Sequence, residues 1–369
     1  MKILFWTELY WPHIGGVEVR SHRLAVALRA RGHEVAVVTS RAGNALDDQV
    51  WHEGVEIRRY PFWDALSTNR LDLFAAARRG VSQFKSRFRP DVVHVFFTDP
   101  SVLFHWMTQA AWNAPTIVGI PVGLGRLRSG DGTLLQRTLR QADWILAVSN
   151  AMRSETIALL PEVEPRCSVI YNSLDPPTES GDPLPFEFPI LLCGGRLVRE
   201  KGFDVAIQAL PQILERFPKA ILWIAGDGPE RPELQKLAAG LGVAKSVVFQ
   251  GWVEPRAFAK LTGCCTMVIV PSRWREAFGN VALQAMQMGR PVLAAATGGL
   301  PEVVENEVTG LITPVDDAAA LANAAIRLLA DPSLAERLGS LGRKTAASRF
   351  SFNTYVDRHE ALYERMKSA

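Results

Sequence analysis

Three stretches of the chain set charged side chains close to glycines at strand-to-helix turns, where backbone and side chains can close on a ligand. In the first, Gly194-Gly195-Arg196 is followed by Lys201-Gly202 after an apolar run. Arginine meets phosphate as a planar fork and lysine as a point charge, so the pair suits a pyrophosphate; a plain solvated loop is the competing reading. In the second, Glu276 stands just ahead of Phe278-Gly279-Asn280. Asn280 is expected as N-cap, Val281–Met288 as the helix, Gly289 as its C-cap and Pro291 as its stop. A helix start presents unpaired N–H groups and a positive dipole end. A carboxylate ahead of it can accept hydrogen bonds from sugar hydroxyls, and Gln284, read on the first turn, adds a neutral amide. In the third, Gly15-Gly16 precedes a helix over Val17–Arg31. These glycines permit φ > 0 and close backbone approach, as an anion seat or simply as a tight turn. The spacing is not G-x-G-x-x-G, so a dinucleotide fingerprint is absent. Gly298-Gly299, ahead of Leu300, repeats the device.

Such loops need strands that end beside them. Lys2–Thr7, Glu34–Ser40, Asp91–Phe97, Thr116–Ile120 and Trp144–Ser149 are short apolar runs, as expected of parallel strands covered on both faces. Amphipathic segments lie between several of them, including Leu71–Phe88. The polar, proline-rich stretch Asp175–Pro185 reads as a linker. Strand runs then restart at Ile190–Cys193, Ala220–Ala225, Val247–Gln250, Thr266–Val270 and Pro291–Ala295. The pattern predicts an α/β fold of two Rossmann-like domains facing across a cleft, residues 1–180 and 186–350. A closing amphipathic helix is expected over 352–369.

The 369 residues carry 41 basic and 38 acidic side chains, a balance that does not suggest nucleic acid. The four cysteines, Cys167, Cys193, Cys264 and Cys265, form no CxxC pair and read as small buried hydrophobes. No apolar run reaches the length of a membrane span, and the N-terminus reads as a first strand rather than a signal peptide, so a cytoplasmic protein is expected. Residues 70–89 hold six basic side chains against Asp72 alone. That charge would lay the helix on anionic lipid as a peripheral contact, though a solvated helix packed on its sheet is the favoured account.

Taken together, Gly194–Gly202, the Glu276 block, Gly298-Gly299-Leu300-Pro301-Glu302 with Asn306–Leu311, the Gly-Gly-Val-Glu near the N-terminus and Ile170–Asp175 resemble the large retaining family 4 of glycosyltransferases, of the GT-B fold. The resemblance spans essentially the whole chain and is strongest from about 190 to 315. It implies transfer of a sugar from a nucleoside diphosphate donor, UDP or GDP, to a hydroxyl acceptor with retention of configuration. It implies that Arg196 and Lys201 bind the donor diphosphate and that Glu276 contacts the donor sugar. Phe278 and Gly279 would reach sugar or phosphate through backbone amides, and the base would lie near Trp252-Val253. The final helix would cross back to the first domain.

Two positions depart from the family pattern. Gln284 stands where a glutamate normally holds the ribose, which costs the charge-assisted part of that bond, about 1 kcal/mol. Pro121 stands where a histidine often sits against the reacting sugar. His94 matches another family position at a strand end; it reads as an acceptor-side residue or as a buried strand histidine. No cofactor or metal is expected, since no Asp-x-Asp or histidine cluster occurs in the segments assigned to the cleft. The alternatives are a weakly active or inactive sugar-nucleotide-binding partner protein and a nucleotide-sugar epimerase. Oligomeric state, base, sugar and acceptor stay open.

Overall fold

The computed structural model describes residues 1–13, 15–41, 46–68, 70–96, 99–121, 133–174 and 181–368. The chain forms two compact units, Met1–Tyr171 with Asn353–Ala369, and Asn172–Phe352. Residues 175–180 of the expected linker lie outside the described residues.

The first unit is an eight-stranded sheet in the order β3-β4-β2-β1-β5-β6-β7-β8. Its strands are β1 (Lys2–Thr7), β2 (Glu34–Ser40), β3 (Gln49–His52), β4 (Val55–Tyr60), β5 (Val92–Val95), β6 (Thr116–Ile120), β7 (Trp144–Ala147) and β8 (Cys167–Val169). All pairings are parallel except β3 with β4, a hairpin at the edge. Leu4, Trp6, Val38, Val93, Val95 and Val118 supply the sheet's share of the main core. The continuous apolar runs follow from burial on both faces, which leaves no solvent side for polar alternation.

The second unit is a six-stranded, all-parallel sheet in the order β11-β10-β9-β12-β13-β14. Its strands are β9 (Ile190–Gly194), β10 (Ile221–Ala225), β11 (Val247–Gly251), β12 (Met267–Val270), β13 (Val292–Ala295) and β14 (Gly310–Thr313). This is the doubly wound order in which the chain runs outward from β9 to one edge, then returns to β12 and runs to the other. The strand order reverses between β9 and β12, and ligands of such sheets bind at that point, outside the carboxyl ends of the strands.

The C-terminal helix Phe352–Ser368 packs on the first unit. Arg31 holds Asp357 and Glu360, both at 2.6 Å, and Lys367 holds Asp91 at 3.2 Å. Beneath it His94 is 2% exposed, with Nδ1 2.7 Å from the Tyr363 hydroxyl and its ring stacked on Phe96 at 4.0 Å. Burial first, then His359 and Arg20, push the His94 pKa well below the usual histidine range. His94 is therefore a buried strand histidine under a helix, the second of its two readings: one residue before the end of β5, its ring packs on Phe96 and Tyr363.

The helix Leu71–Phe88 carries less surface charge than its composition implied. Lys85 is buried, its Nζ donates to the His105 carbonyl at 2.9 Å, and burial lowers its pKa to about 7. Arg87 pairs with Glu56 at 2.7 Å, and Arg70 pairs with Asp72. Among the described residues no helix is long and apolar enough to cross a membrane. One cysteine also departs from expectation: Cys264 is exposed, with its thiol 3.3 Å from Asp182, while the other three are buried.

Candidate active site

The loops after β9 and β12 meet at the reversal point of the second sheet. Two glycines bring them together. Gly202 has φ +66°, and a Cβ there would stand 2.1 Å from the Pro271 carbonyl oxygen. Gly298, in the loop after β13, has φ +55°, and its Cβ would stand 2.1 Å from the Glu276 carbonyl oxygen. Only glycine allows both the left-handed backbone and backbone-to-backbone packing at these points.

The result is that Lys201 and Glu276, 75 residues apart in sequence, form an ion pair through Lys201 Nζ and Glu276 Oε1. The Ser272 hydroxyl donates to the same oxygen at 2.8 Å. Glu276 is 17% exposed and Lys201 36% at the side chain, so the pair is half-sheltered yet open to a ligand. Arg196, five residues before Lys201 on the β9 loop, is exposed and has no side-chain hydrogen bond or ion pair among the described residues.

Sequence reasoning missed the residue that braces the loop. Arg273 forms a fork on both carboxylate oxygens of Asp204, each at 2.6 Å, and also pairs with Asp316. The amides of Arg273 and Trp274 donate to the Glu200 carbonyl at 2.9 and 3.2 Å, and Gly299 N–H donates to the Glu276 carbonyl at 2.7 Å. These bonds fix Glu276 from both sides. No short-range signal marks Asp204 or Asp316 as partners of Arg273, because the fold alone brings them together.

After Glu276 the chain buries Phe278 against Phe350, ring centroids 5.6 Å apart and edge-on. The helix that follows runs Asn280–Gln287 with Gly279, at φ 111°, as its N-cap. The expected N-cap, Asn280, is thus inside the helix, and its side-chain oxygen faces the Asn172 amide at 3.4 Å instead. The first N–H groups of this helix lack intrahelical partners and sit at the carboxyl edge of the sheet. Gln284 is half-buried and falls on the second turn, a correction to the first-turn placement. Trp252, 70% exposed, and half-buried Val253 follow the edge strand β11 at the same end of the sheet.

In the first unit the reversal lies between β1 and β5. Gly15 is the N-cap of the helix Gly16–Ala30 with φ −149°, ordinary extended backbone, so no positive φ is required of it. A Cβ on Gly16 would meet nothing within 4 Å. Pro121 follows β6 directly and is half-buried; residues 122–132 beyond it lie outside the described residues. The loops after β1 and β5 also carry Glu8 and Asp99, a second feature the sequence reading missed. Burial first, then the neighbouring Glu8 carboxylate, raises the Asp99 pKa to about 8. Ser40 donates to Glu8 at 2.6 Å, and the Ser101 amide donates to Asp99 at 2.7 Å.

The chain was compared with known proteins. A family described as Glycosyl transferases group 1 matches residues 181–345, and one described as Glycosyltransferase Family 4 matches residues 14–177. An uncharacterised glycosyltransferase of Methanocaldococcus jannaschii is 28% identical over 99% of this chain and 98% of its own. Glycogen synthase of Mycobacterium tuberculosis is 30% identical over 98% of this chain and 94% of its own. Among solved structures, sucrose-phosphate synthase from Thermosynechococcus elongatus superposes with a TM-score of 0.83 at 24% identity, covering both chains fully. HepE of Anabaena, solved with UDP and glucose, gives 0.79 at 23% identity, with 99% of each chain covered. These structures share the two-unit GT-B fold. By these matches the chain belongs to the group 1, family 4 glycosyltransferases.

Proposed function

We propose that this glycosyltransferase moves a sugar from a UDP or GDP donor to a hydroxyl acceptor with retention of configuration and without a metal ion. The observation that carries the reading is the Lys201–Glu276 pair on the two reversal-point loops, with Arg196 exposed on the first of those loops. A donor diphosphate brings the anion these cations need. Arg196 and Lys201 neutralise it, and the amides following Gly279 add partial positive charge. Lys201 exchanges part of its contact with Glu276 for phosphate, which leaves the carboxylate to accept hydrogen bonds from the sugar.

In the reaction the bond between the anomeric carbon and the β-phosphate oxygen breaks, and the acceptor oxygen bonds to the same face of the sugar. The acceptor's proton passes to the departing phosphate oxygen, and nucleoside diphosphate leaves. Charge grows on that phosphate in the transition state, where preorganised cations count most. Trp252 and Val253 offer a surface for the base, and Gln284 an amide for the ribose.

The test is a thermal-shift series with UDP, GDP, ADP and their sugars, because a ligand that binds only the folded state raises the melting point. Turnover of the stabilising donor with an acceptor panel follows, with the anomeric configuration of the product read by NMR. Binding without transfer supports a non-catalytic partner protein instead. A changed sugar nucleotide in the absence of acceptor supports an epimerase.

A further inference from the structure

We propose that His22, His52 and Glu53 hold one divalent cation of the zinc type on the first unit, using residues the donor reading leaves idle. His22 lies on the helix Gly16–Ala30, His52 ends β3, and Glu53 opens the turn to β4 with φ 46°. One ligand atom from each lies within 4.8 Å of the other two. Two imidazole nitrogens and a carboxylate oxygen, with a fourth position left for water, form a ligand set that zinc takes readily.

Both rings are already held in place. The hydroxyl of Tyr10, 1% exposed, lies 3.0 Å from His22 Nδ1, the kind of outer contact that fixes a ligand ring and leaves Nε2 to face the metal. Trp11 stacks on His52 at 4.1 Å with the planes 17° apart, and the two histidine rings lie 4.9 Å apart. His22 Nε2 is buried and stands 3.3 Å from Glu53 Oε2. In the tautomer with its proton on Nδ1, His22 sets the Nε2 lone pair against that carboxylate, a contact that a cation between them relieves. The Glu53 side chain is 58% exposed, which gives an ion a way in. Arg29 donates to the Glu53 carbonyl at 3.0 Å, and Arg23 feels the charge of the carboxylate. Bound there, the ion would tie the β3–β4 turn to the helix that begins at Gly16.

The test uses the full chain, stripped with chelator and titrated with Co²⁺ and, separately, Zn²⁺. Expected are one equivalent of cobalt with the intense visible band of four-coordinate Co²⁺, one equivalent of zinc by calorimetry, and a raised melting point. His52→Ala and Glu53→Gln should each weaken affinity at least tenfold, and Cys264→Ser should leave it unchanged. Circular dichroism of His52→Ala checks that it folds; Glu53→Gln, at an exposed side chain, keeps the test open if it does not. Absence of saturable uptake overturns the proposal. So does equal uptake by wild type and both site variants, or loss of the band in Cys264→Ser.

Discussion

Gly298→Ala tests whether the packing of one loop places the carboxylate of another. At φ +55° an alanine pays about 1–2 kcal/mol for the left-handed backbone. Its Cβ would also stand 2.1 Å from the Glu276 carbonyl oxygen, where about 3.0 Å is the limit, so that backbone must retreat by about 1 Å. The retreat disturbs the 2.7 Å bond from Gly299 N–H to the same oxygen, worth about 1 kcal/mol. The sum is about 2–3 kcal/mol, which in a domain of this size lowers Tm by about 4–12 °C. Displacement of Glu276 by about 1 Å should lower kcat/KM by about a hundredfold. Gly242→Ala is the comparison, since Gly242 has φ +71° and open space around its Cβ. It should lose only the backbone part of the stability and keep full activity. The assays are calorimetric melting and donor-consumption kinetics on both variants. If Gly298→Ala melts with Gly242→Ala and retains wild-type kcat/KM, the loops do not position one another as argued.

Arg196→Ala should leave Tm unchanged, because the side chain is exposed and has no partner among the described residues, while kcat/KM falls tenfold or more; unchanged kinetics remove the phosphate assignment. Gln284→Glu should lower the donor Kd several-fold by restoring a charged acceptor, as read by calorimetry; an unchanged Kd counts against the ribose role. Acid should weaken the first unit through His359, whose pKa burial pushes down to about 4. The folded state keeps this ring neutral while the unfolded chain protonates it below about 6.5, so stability is intact at pH 7 and is lost as pH falls toward 4. The full loss is about 3 kcal/mol, and Tm measured from pH 7 to pH 4 should fall less steeply in His359→Gln.

The strands were legible because burial on both faces writes itself as unbroken apolar runs: Lys2–Thr7, Glu34–Ser40 and Thr116–Ile120 occur with the expected bounds. The β3–β4 hairpin was not legible. In β4 Glu56, Arg58 and Arg59 interrupt the apolar signal, and ion pairs such as Arg58–Glu56 at 2.8 Å stand beside the packing of Val55 and Ile57. In the candidate site, glycines and cations within one loop could be read from spacing, and Lys201 with Glu276 are brought together by the fold. Arg273 with Asp204, Glu8 with Asp99 and His22 with His52 could not be read, because each pair joins separate elements and neither member is unusual in its own neighbourhood. Asn280 failed as a cap for a local reason: Gly279 takes the left-handed conformation and begins the helix one residue early.

The C-terminal helix gives synthesis an awkward order. The first unit is the first to leave the ribosome, yet the cover over His94 and Phe96 arrives only after every residue of the second unit has been made. Until then a face of aromatic rings stays open to water and to other nascent chains. The unit that starts first therefore finishes last, and a chain cut after Phe352 would leave that face bare for good.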